Sequence, residues 1–142
     1  MSKRQKSLRI NLICEYYQKL ASQDVSLLHL FSEDVVIFFP KFGVSYGKPS
    51  LTDLGMKLSN ELAHLYHDPT RFSLISEGDA IVVEGLMHGV MRSGERWPKE
   101  GEDGRYFCTV FEFKGNLIQR MHVYLDPDFD HKDVDRVKNY TQ

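Results

Sequence analysis

Glu84 and His88 are the residues whose types and spacing best fit acid/base chemistry. They lie four residues apart in VVEGLMHGV and share one phase of a predicted strand with Leu86 and Val90. Facing a dry pocket, the carboxyl and the imidazole would have shifted pKa values and could exchange protons with a substrate. Facing the sheet rim or a second chain, both would be solvated. The sequence leaves the two alternatives open.

Asp126 lies where GNLIQRMHVYLDPDF changes from strand to turn. Met121, Val123 and Leu125 share one strand phase, and Asp126 belongs to the other. Pro127 has no backbone N–H for a sheet ladder, so an Asp-Pro pair is typical of a strand end. We therefore interpret Asp126 as a strand terminator rather than as a catalytic acid.

His64 and His67 lie three residues apart in HLYHD, near the predicted end of a helix. This spacing would place both imidazoles on one side, but two histidines are only half of a zinc site. No third ligand is nearby, so we expect a surface helix terminus and no metal. Cys108 has no activating base beside it in the sequence and is interpreted as a small buried residue rather than a nucleophile.

Trp97 lies in the polar loop SGERWPKEGEDG, which is longer than an ordinary hairpin connection. Loops of this length often cover a binding site, and the indole would then give apolar cover to a pocket mouth. Alternatively, Trp97 packs beside Pro98 on the edge of the sheet. The sequence does not choose between these interpretations.

The elements that position these residues follow from apolar periodicity. Apolar residues recur at intervals of three and four over residues 8–20 and predict a helix. A short helix, VSLLHLF, follows with Asp24 as its cap, and a third is predicted from Ser50, paired with Asp53, to about His64. Strands are predicted over DVVIFFP, RFSLIS, AIVVEGLMHGVMR, RYFCTVFEF and NLIQRMHVYLD, with a Gly-rich turn at FGVSYGKP. Helices followed by a meander indicate an α+β domain with a mostly antiparallel sheet.

Composition narrows the class of partner. The 142 residues carry 18 basic and 20 acidic side chains, a net charge of −2, so neither a nucleic acid nor an anionic membrane is an expected partner. The basic N-terminus is not followed by a long apolar run, so no secretory signal is predicted. With two cysteines, no disulfide framework is predicted and a cytoplasmic location is the expectation.

The predicted strands are apolar on both faces, whereas a solvated face should alternate more cleanly. In RYFCTVFEF one face carries Phe107, Thr109, Phe111 and Phe113, and the other carries Tyr106, Cys108, Val110 and Glu112. Three helices can cover one face of such a sheet. We expect a second copy of the chain to cover the other, which makes the predicted assembly a homodimer.

The chain resembles the nuclear-transport-factor-2-like superfamily, in particular its SnoaL-like polyketide cyclase and ketosteroid isomerase branches. The likeness rests on a first helix with YYQKLASQDVSLLHLFSEDVVIFFP, a Gly-rich turn, another helix, and strands ending FCTVFEFKGNLIQRMHVYLDP. It covers nearly the whole chain, so we expect one SnoaL-like domain over residues 1–142. The resemblance implies a cystatin-like, cone-shaped sheet with three helices on its concave face, an enclosed small-molecule pocket, and dimerisation through the outer face.

The functional residues of that superfamily carry over only in part. In ketosteroid isomerases a tyrosine of the first helix donates to the developing oxyanion, and Tyr16 falls at that position. The general-base aspartate corresponds to Phe39 and the second oxyanion donor to Thr109, so isomerisation of that kind is not expected. Limonene-epoxide-hydrolase-like relatives have a catalytic aspartate where this chain has Val123. The expected pocket lining is Tyr16, Phe39, Leu86, Trp97, Thr109, Phe111 and Val123.

Two classes of function remain compatible with the sequence. One is an enzyme that isomerises, cyclises, dehydrates or hydrolyses a small, largely apolar molecule with oxygen functions, using Tyr16, Glu84 and His88. The sequence indicates no cofactor for such an enzyme. The other is a non-catalytic module that binds a ligand or dimerises, favoured by the apolar Phe39 and Val123 at positions of catalytic carboxylates. Fold alone does not choose between the two.

Overall fold

The first helix carries the residues that face the sheet. The computed structural model describes residues 1–141 of the chain. Helix α1, Lys3–Ser22, starts at a Ser2 cap whose Oγ accepts the Gln5 N–H at 3.1 Å and ends at Gln23 in the left-handed region, φ 57°. Its buried positions are Arg9, Ile13, Tyr16 and Tyr17, which form one stripe at helical spacing. The predicted helix over residues 8–20 is confirmed and is longer at its N-terminus.

Two shorter helical elements follow. Residues Val25–Leu30 form a 3-10 helix capped by Asp24, as predicted. Helix α2, Lys48–Ser59, begins after Gly47, whose φ of 85° allows the chain to turn into it, and has a proline in its first turn. The predicted cap at Ser50 is therefore wrong, because Ser50 lies inside the helix and its hydroxyl donates to the Gly47 carbonyl at 2.6 Å.

An eight-stranded sheet forms the rest of the domain. Its strands are β1 Phe31–Phe39, β2 Gly43–Tyr46, β3 Leu62–His67, β4 Ser73–Glu77, β5 Ala80–Met91, β6 Arg96–Trp97, β7 Arg105–Lys114 and β8 Leu117–Leu125. The order is β2-β1-β8-β7-β5-β3, with β4 and β6 also paired to β5. Only β1 and β8 run parallel; the other recorded pairs are antiparallel. The predicted α+β class with a mostly antiparallel sheet is confirmed, although the predicted turn FGVSYGKP contains strand β2.

The two faces of this sheet differ in their cover. The odd-numbered residues of β5, β7 and most of β8 point toward α1, and we call this the helix-covered face. On it Ile81, Val83, Phe111 and Met121 are at most 1% exposed and form the centre of the core. The even-numbered residues of these strands point away from the helices, and we call that side the outer face.

Arg9 anchors α1 to the turns at one end of the sheet. Its side chain is 1% exposed, and its Nε and Nη2 donate to the Gly115 carbonyl at 3.1 and 2.9 Å. Nη1 pairs with Asp79 Oδ1 at 2.9 Å, and the guanidinium lies 5.2 Å from the centre of the Phe113 ring. A buried cation with this many partners fixes the position of α1 along the sheet.

The chain leaves the sheet at Asp126, as predicted. Strand β8 ends at Leu125, and the exposed Asp126 accepts the Asp128 N–H through Oδ1 at 2.9 Å, which is a turn rather than a site. Phe129 then turns back onto the domain, is 1% exposed, and stacks on Trp97 at 5.3 Å between ring centres. A short helix α3, Val134–Val137, and a 3-10 turn, Lys138–Thr141, complete the part described. Within residues 1–141, none of the helices has the length and apolar character to cross a membrane.

Candidate functional site

Two consecutive tyrosines of α1 occupy the space between this helix and the sheet. Tyr16 is 7% exposed and Tyr17 3% exposed, with their ring centres 5.0 Å apart. Tyr16 contacts Phe31 at 5.5 Å and Phe111 at 6.0 Å, both in edge-to-face geometry. This confirms that Tyr16 lies on the buried stripe. Burial raises the pKa of both phenols, so both remain protonated hydrogen-bond donors.

His67 lies beside Tyr17 and not at a helix end. Helix α2 stops at Ser59, and His64 and His67 both belong to β3, so the predicted helix terminus is wrong. The alternation of a strand turns His64 toward solvent on the outer face, where its ring stacks on Tyr66, and turns His67 inward. The two imidazoles therefore lie on opposite faces of the sheet.

Aromatic rings enclose the His67 imidazole. Its ring centre is 4.5 Å from that of Tyr17 and 4.6 Å from that of Phe107. Phe72 closes the cage, 5.2 Å from Tyr17 and 5.8 Å from Phe107. Desolvation, helped by the charge of His88, lowers the pKa of His67 to about 3. The imidazole is thus neutral at physiological pH and offers one N–H donor and one nitrogen acceptor.

Two buried polar atoms of this cage lack hydrogen-bond partners within the described chain. They are the Tyr17 hydroxyl and Nδ1 of His67. Burial is the largest influence on the pKa of Tyr17 and raises it, whereas the nearby Thr109 hydroxyl acts in the opposite direction. The two hydroxyls do not reach hydrogen-bond geometry. Buried polar groups are almost always paired, so two unpaired ones on neighbouring side chains mark a place where a ligand oxygen or a water fits. We call Tyr17, His67 and Thr109 the polar cage.

Five of the seven predicted lining residues lie on or against the helix-covered face. Thr109 and Val123 are direct cross-strand neighbours, 2% and 9% exposed, and Phe111 and Tyr16 lie beside them. Phe39 is 6% exposed at the end of β1, stacks on Phe42 at 5.9 Å, and lines a narrow cleft of about 40 Å³ against α2. The apolar side chains at 39 and 123 bring no carboxylate to this face.

Glu84, Leu86 and His88 lie on the outer face instead. Their even positions on β5 point away from α1, and Glu84 and His88 are exposed. The structure thus separates them from Tyr16, and Leu86 cannot line the same pocket as Thr109, because neighbouring strand positions alternate between faces. Glu84 pairs across the sheet with Cys108, which is half-buried.

Trp97 stands at the far end of the sheet as part of β6. It pairs with Gly89 of β5, and its ring lies so close that a Cβ on Gly89 would meet Trp97 Cζ2 at 2.5 Å. Trp97 is 2% exposed, and with Leu86 and His88 it lines a cleft of about 550 Å³ that is open to solvent. Within residues 1–141, the lining of this cleft, of the cleft at Phe39 and of a third beside α1 does not include Tyr16, Thr109, Phe111 or Val123.

Sequence reasoning considered His67 only as a metal ligand and Tyr17 only as part of the apolar stripe of the first helix, and it missed that the two side chains lie together. The stripe of Ile13 and Tyr16 continues to Tyr17, since adjacent helix positions can share a broad buried face. The Asp68-Pro69 pair after His67 resembles the strand end at Asp126, and it could have indicated a strand rather than a helix. In the described part of the chain no group of three His, Cys, Asp or Glu residues is arranged to hold a metal ion.

Comparison with solved structures identifies the fold, although the sequence itself finds no match. No protein-family model matches the sequence, and no curated protein matches it. A solved NTF2-like protein from Anabaena variabilis superposes with a TM-score of 0.74 at 18% identity, covering 90% of this chain and 93% of its own. TerC, crystallised with polyporic acid, gives a TM-score of 0.71 at 17% identity, covering 84% of this chain and 92% of its own.

A third similar structure is a candidate polyketide cyclase from Xanthomonas campestris. It has a TM-score of 0.69 and 15% identity, and covers 84% of this chain and 91% of its own. These similarities extend over nearly complete domains on both sides. The sheet with α1 against one face is therefore the nuclear-transport-factor-2-like fold, and the resemblance predicted from the sequence is confirmed at the level of the fold.

Proposed function

We propose that this chain, which has the nuclear-transport-factor-2-like fold, binds a small, largely apolar molecule whose oxygen atom is held by the polar cage. The observation that carries the proposal is that two buried, unpaired polar atoms, the Tyr17 hydroxyl and Nδ1 of His67, belong to side chains whose rings pack together with centres 4.5 Å apart. Each unpaired buried group destabilises the empty protein by about 1–3 kcal/mol, and a carbonyl or hydroxyl oxygen would satisfy both.

The surroundings select an uncharged ligand with aromatic or aliphatic bulk. Tyr17 and His67 are both neutral, and the rings of Phe72, Phe107 and Phe111 supply apolar and edge-to-face contacts. Centroid distances of 4.5 to 6.1 Å mean that the rings already touch one another, so a ligand must displace one of them. Phe72 is the partly exposed member of the cage, and we infer that the ligand enters beside it.

Polyporic acid, the compound crystallised with the similar protein TerC, combines phenyl rings with quinone oxygens, and it serves as the probe at a pH low enough to keep its acidic hydroxyls uncharged. We expect calorimetric titration to show binding, and Tyr17→Phe to weaken it about five- to tenfold, the loss of one hydrogen bond. The variant should be at least as stable as the wild type, since it removes an unpaired buried hydroxyl. Tyr124→Phe, which removes an exposed hydroxyl from the outer face, is the matched control.

Equal affinity of the Tyr17 variant and the wild type would show that the polar cage does not hold the ligand. Absence of polyporic acid binding at millimolar concentration would remove this ligand class from the proposal.

A catalytic role is the second candidate, and the neutral His67 is the observation that favours it. An imidazole nitrogen and a phenol O–H in contact could take a proton from a carbon beside a carbonyl and donate to its oxygen. A pKa near 3 makes His67 a weak base, so only a substrate with an acidic C–H would react at a useful rate. Enolisation or cyclisation of a polycarbonyl compound meets this condition, whereas ketosteroid-type isomerisation lacks its base at Phe39. A cytoplasmic location stays a prediction.

A second copy of the chain is the proposed partner for the outer face. One row of directly paired residues crosses six strands and consists of Ile75, Val82, Val110, His122, Phe38 and Val44. Around it Tyr46, Tyr106 and Tyr124 are 74%, 68% and 47% exposed. Aromatic and aliphatic exposure of this extent across one sheet face is typical of a protein interface.

A further inference from the structure

The cleft beside Trp97 is a second cavity, separate from the polar cage. Its volume of about 550 Å³ falls in the range of small-molecule sites. It lies on the outer face and under the loop that joins β6 to β7, whereas the polar cage lies beneath α1. Val82 in the apolar row and Leu86 in the cleft are four residues apart on β5, about 13 Å, and Leu86 pairs with Tyr106, so the cleft adjoins the edge of the proposed dimer surface.

A pair of stacked rings forms one wall of this cleft. Tyr66 and His88 are direct cross-strand neighbours, with ring centres 4.9 Å apart and planes inclined by 23°. Leu86, 6% exposed, adds apolar surface, and Trp97 borders the end of the cleft, although its buried ring lies over Gly89 toward the helix-covered face. Trp97 Nε1 is buried and has no hydrogen-bond partner among the described residues. His64 stacks on Tyr66 as well, so a flat ring system can extend this stack on the face of His88 that is turned away from Tyr66.

Among the described basic side chains that line the cleft, Arg96 is the arginine without an ion pair. The Asp68 carboxylate accepts from the Thr70 N–H at 3.0 Å and from its hydroxyl at 2.6 Å, and Arg71 pairs with Asp103 at 3.8 Å. Arg96 is exposed and forms no ion pair within residues 1–141. A carboxylate is the group that a guanidinium binds with two parallel hydrogen bonds.

We propose that this cleft binds a planar aromatic carboxylate, with its ring system stacked on His88 and its carboxylate on Arg96. The site requires neither α1 nor the polar cage. It would allow an aromatic acid to bind on the outer side of the sheet while the interior site is empty or occupied.

The probe is 2-naphthoate, and 2-naphthamide is its uncharged counterpart. Trp97 is the only tryptophan of the chain and lines the cleft, so its fluorescence reports occupancy directly, and calorimetry gives the affinity. We expect a dissociation constant below about 1 mM for naphthoate. Arg96→Gln should weaken naphthoate about fivefold or more and leave naphthamide unchanged. His88→Ala should weaken both compounds, since it removes a ring that both contact.

Two matched variants separate this site from the rest of the molecule. Arg4→Gln removes an exposed cation from α1 and should leave naphthoate binding unchanged. Tyr17→Phe alters the polar cage and should also leave it unchanged, so this proposal and the interior site succeed or fail separately. Circular dichroism and thermal unfolding check that Arg96→Gln and His88→Ala remain folded. The proposal is overturned if naphthoate does not bind at about 5 mM, if Arg96→Gln binds it as tightly as wild type, or if Tyr17→Phe abolishes binding.

Discussion

Replacing His67 with phenylalanine should reduce the loss of stability that the protein suffers between pH 7.5 and 5.5, to which His122, with a pKa also lowered by burial, contributes in both proteins. Burial holds the pKa of His67 at about 3, against 6.5 when unfolded. The unfolded chain therefore takes up a proton as pH falls through 6.5, while the folded chain does not. The free energy of unfolding is therefore unaffected by protonation of His67 above about pH 7.5, and it decreases as the pH falls from there toward 3.

The magnitude follows from the two pKa values. Between pH 7.5 and 5.5 the unfolded imidazole changes from mostly neutral to mostly charged, which corresponds to about 1.4 kcal/mol of unfolding free energy. The folded imidazole stays neutral over this range, so the value depends on the unfolded chain, and we expect a difference of about 1 kcal/mol. Carboxyl groups with lowered pKa values, such as Asp34 and Asp68, are ionised in both states over most of this range and contribute mainly at lower pH.

Urea unfolding at the two pH values, at one protein concentration, measures the effect. The wild type should lose about 1 kcal/mol more than His67→Phe, and at pH 7.5 the variant should be no less stable, because it removes an unpaired Nδ1. His64→Phe changes an exposed histidine of the same strand and should keep the wild-type pH dependence. Identical pH dependence of wild type and His67→Phe would refute a buried, neutral imidazole. A nuclear magnetic resonance titration of His67 with a midpoint near 6.5 would refute it independently.

Two further predictions concern packing and assembly. Gly89→Ala should destabilise the protein by about 1–3 kcal/mol in urea unfolding, because a Cβ there meets the Trp97 ring. Gly55→Ala in α2, where an added Cβ meets open space, should be neutral or stabilise by up to about 1 kcal/mol. Equal effects of the two substitutions would contradict the packing argument. Sedimentation should show a dimer at micromolar concentration, which Tyr124→Lys on the outer face disrupts and Tyr140→Lys at the exposed C-terminus does not. A monomeric wild type would count against the proposed assembly.

Local patterns in the sequence were sufficient to predict most of the elements. The buried stripe of α1, the Asp24 cap and the strand end at Asp126 each depend on residues within one or two turns of one another. Hydrophobic spacing and capping act over such short distances, so they can be recognised without the rest of the chain. The apolar character of both faces of β7 was also visible, because alternation is a property of the strand itself.

The candidate site depended on contacts that the sequence does not display. The segment with His67 has apolar spacing that fits a helix as well as a strand, and its pairing with β5 decides the outcome. That same pairing, through register, turns His67 inward and His88 outward. The polar cage brings residues 17, 67 and 109 together from one helix and two strands. Strand register and helix docking are set by the packing of the whole core, so tertiary structure alone decided which polar groups are buried together.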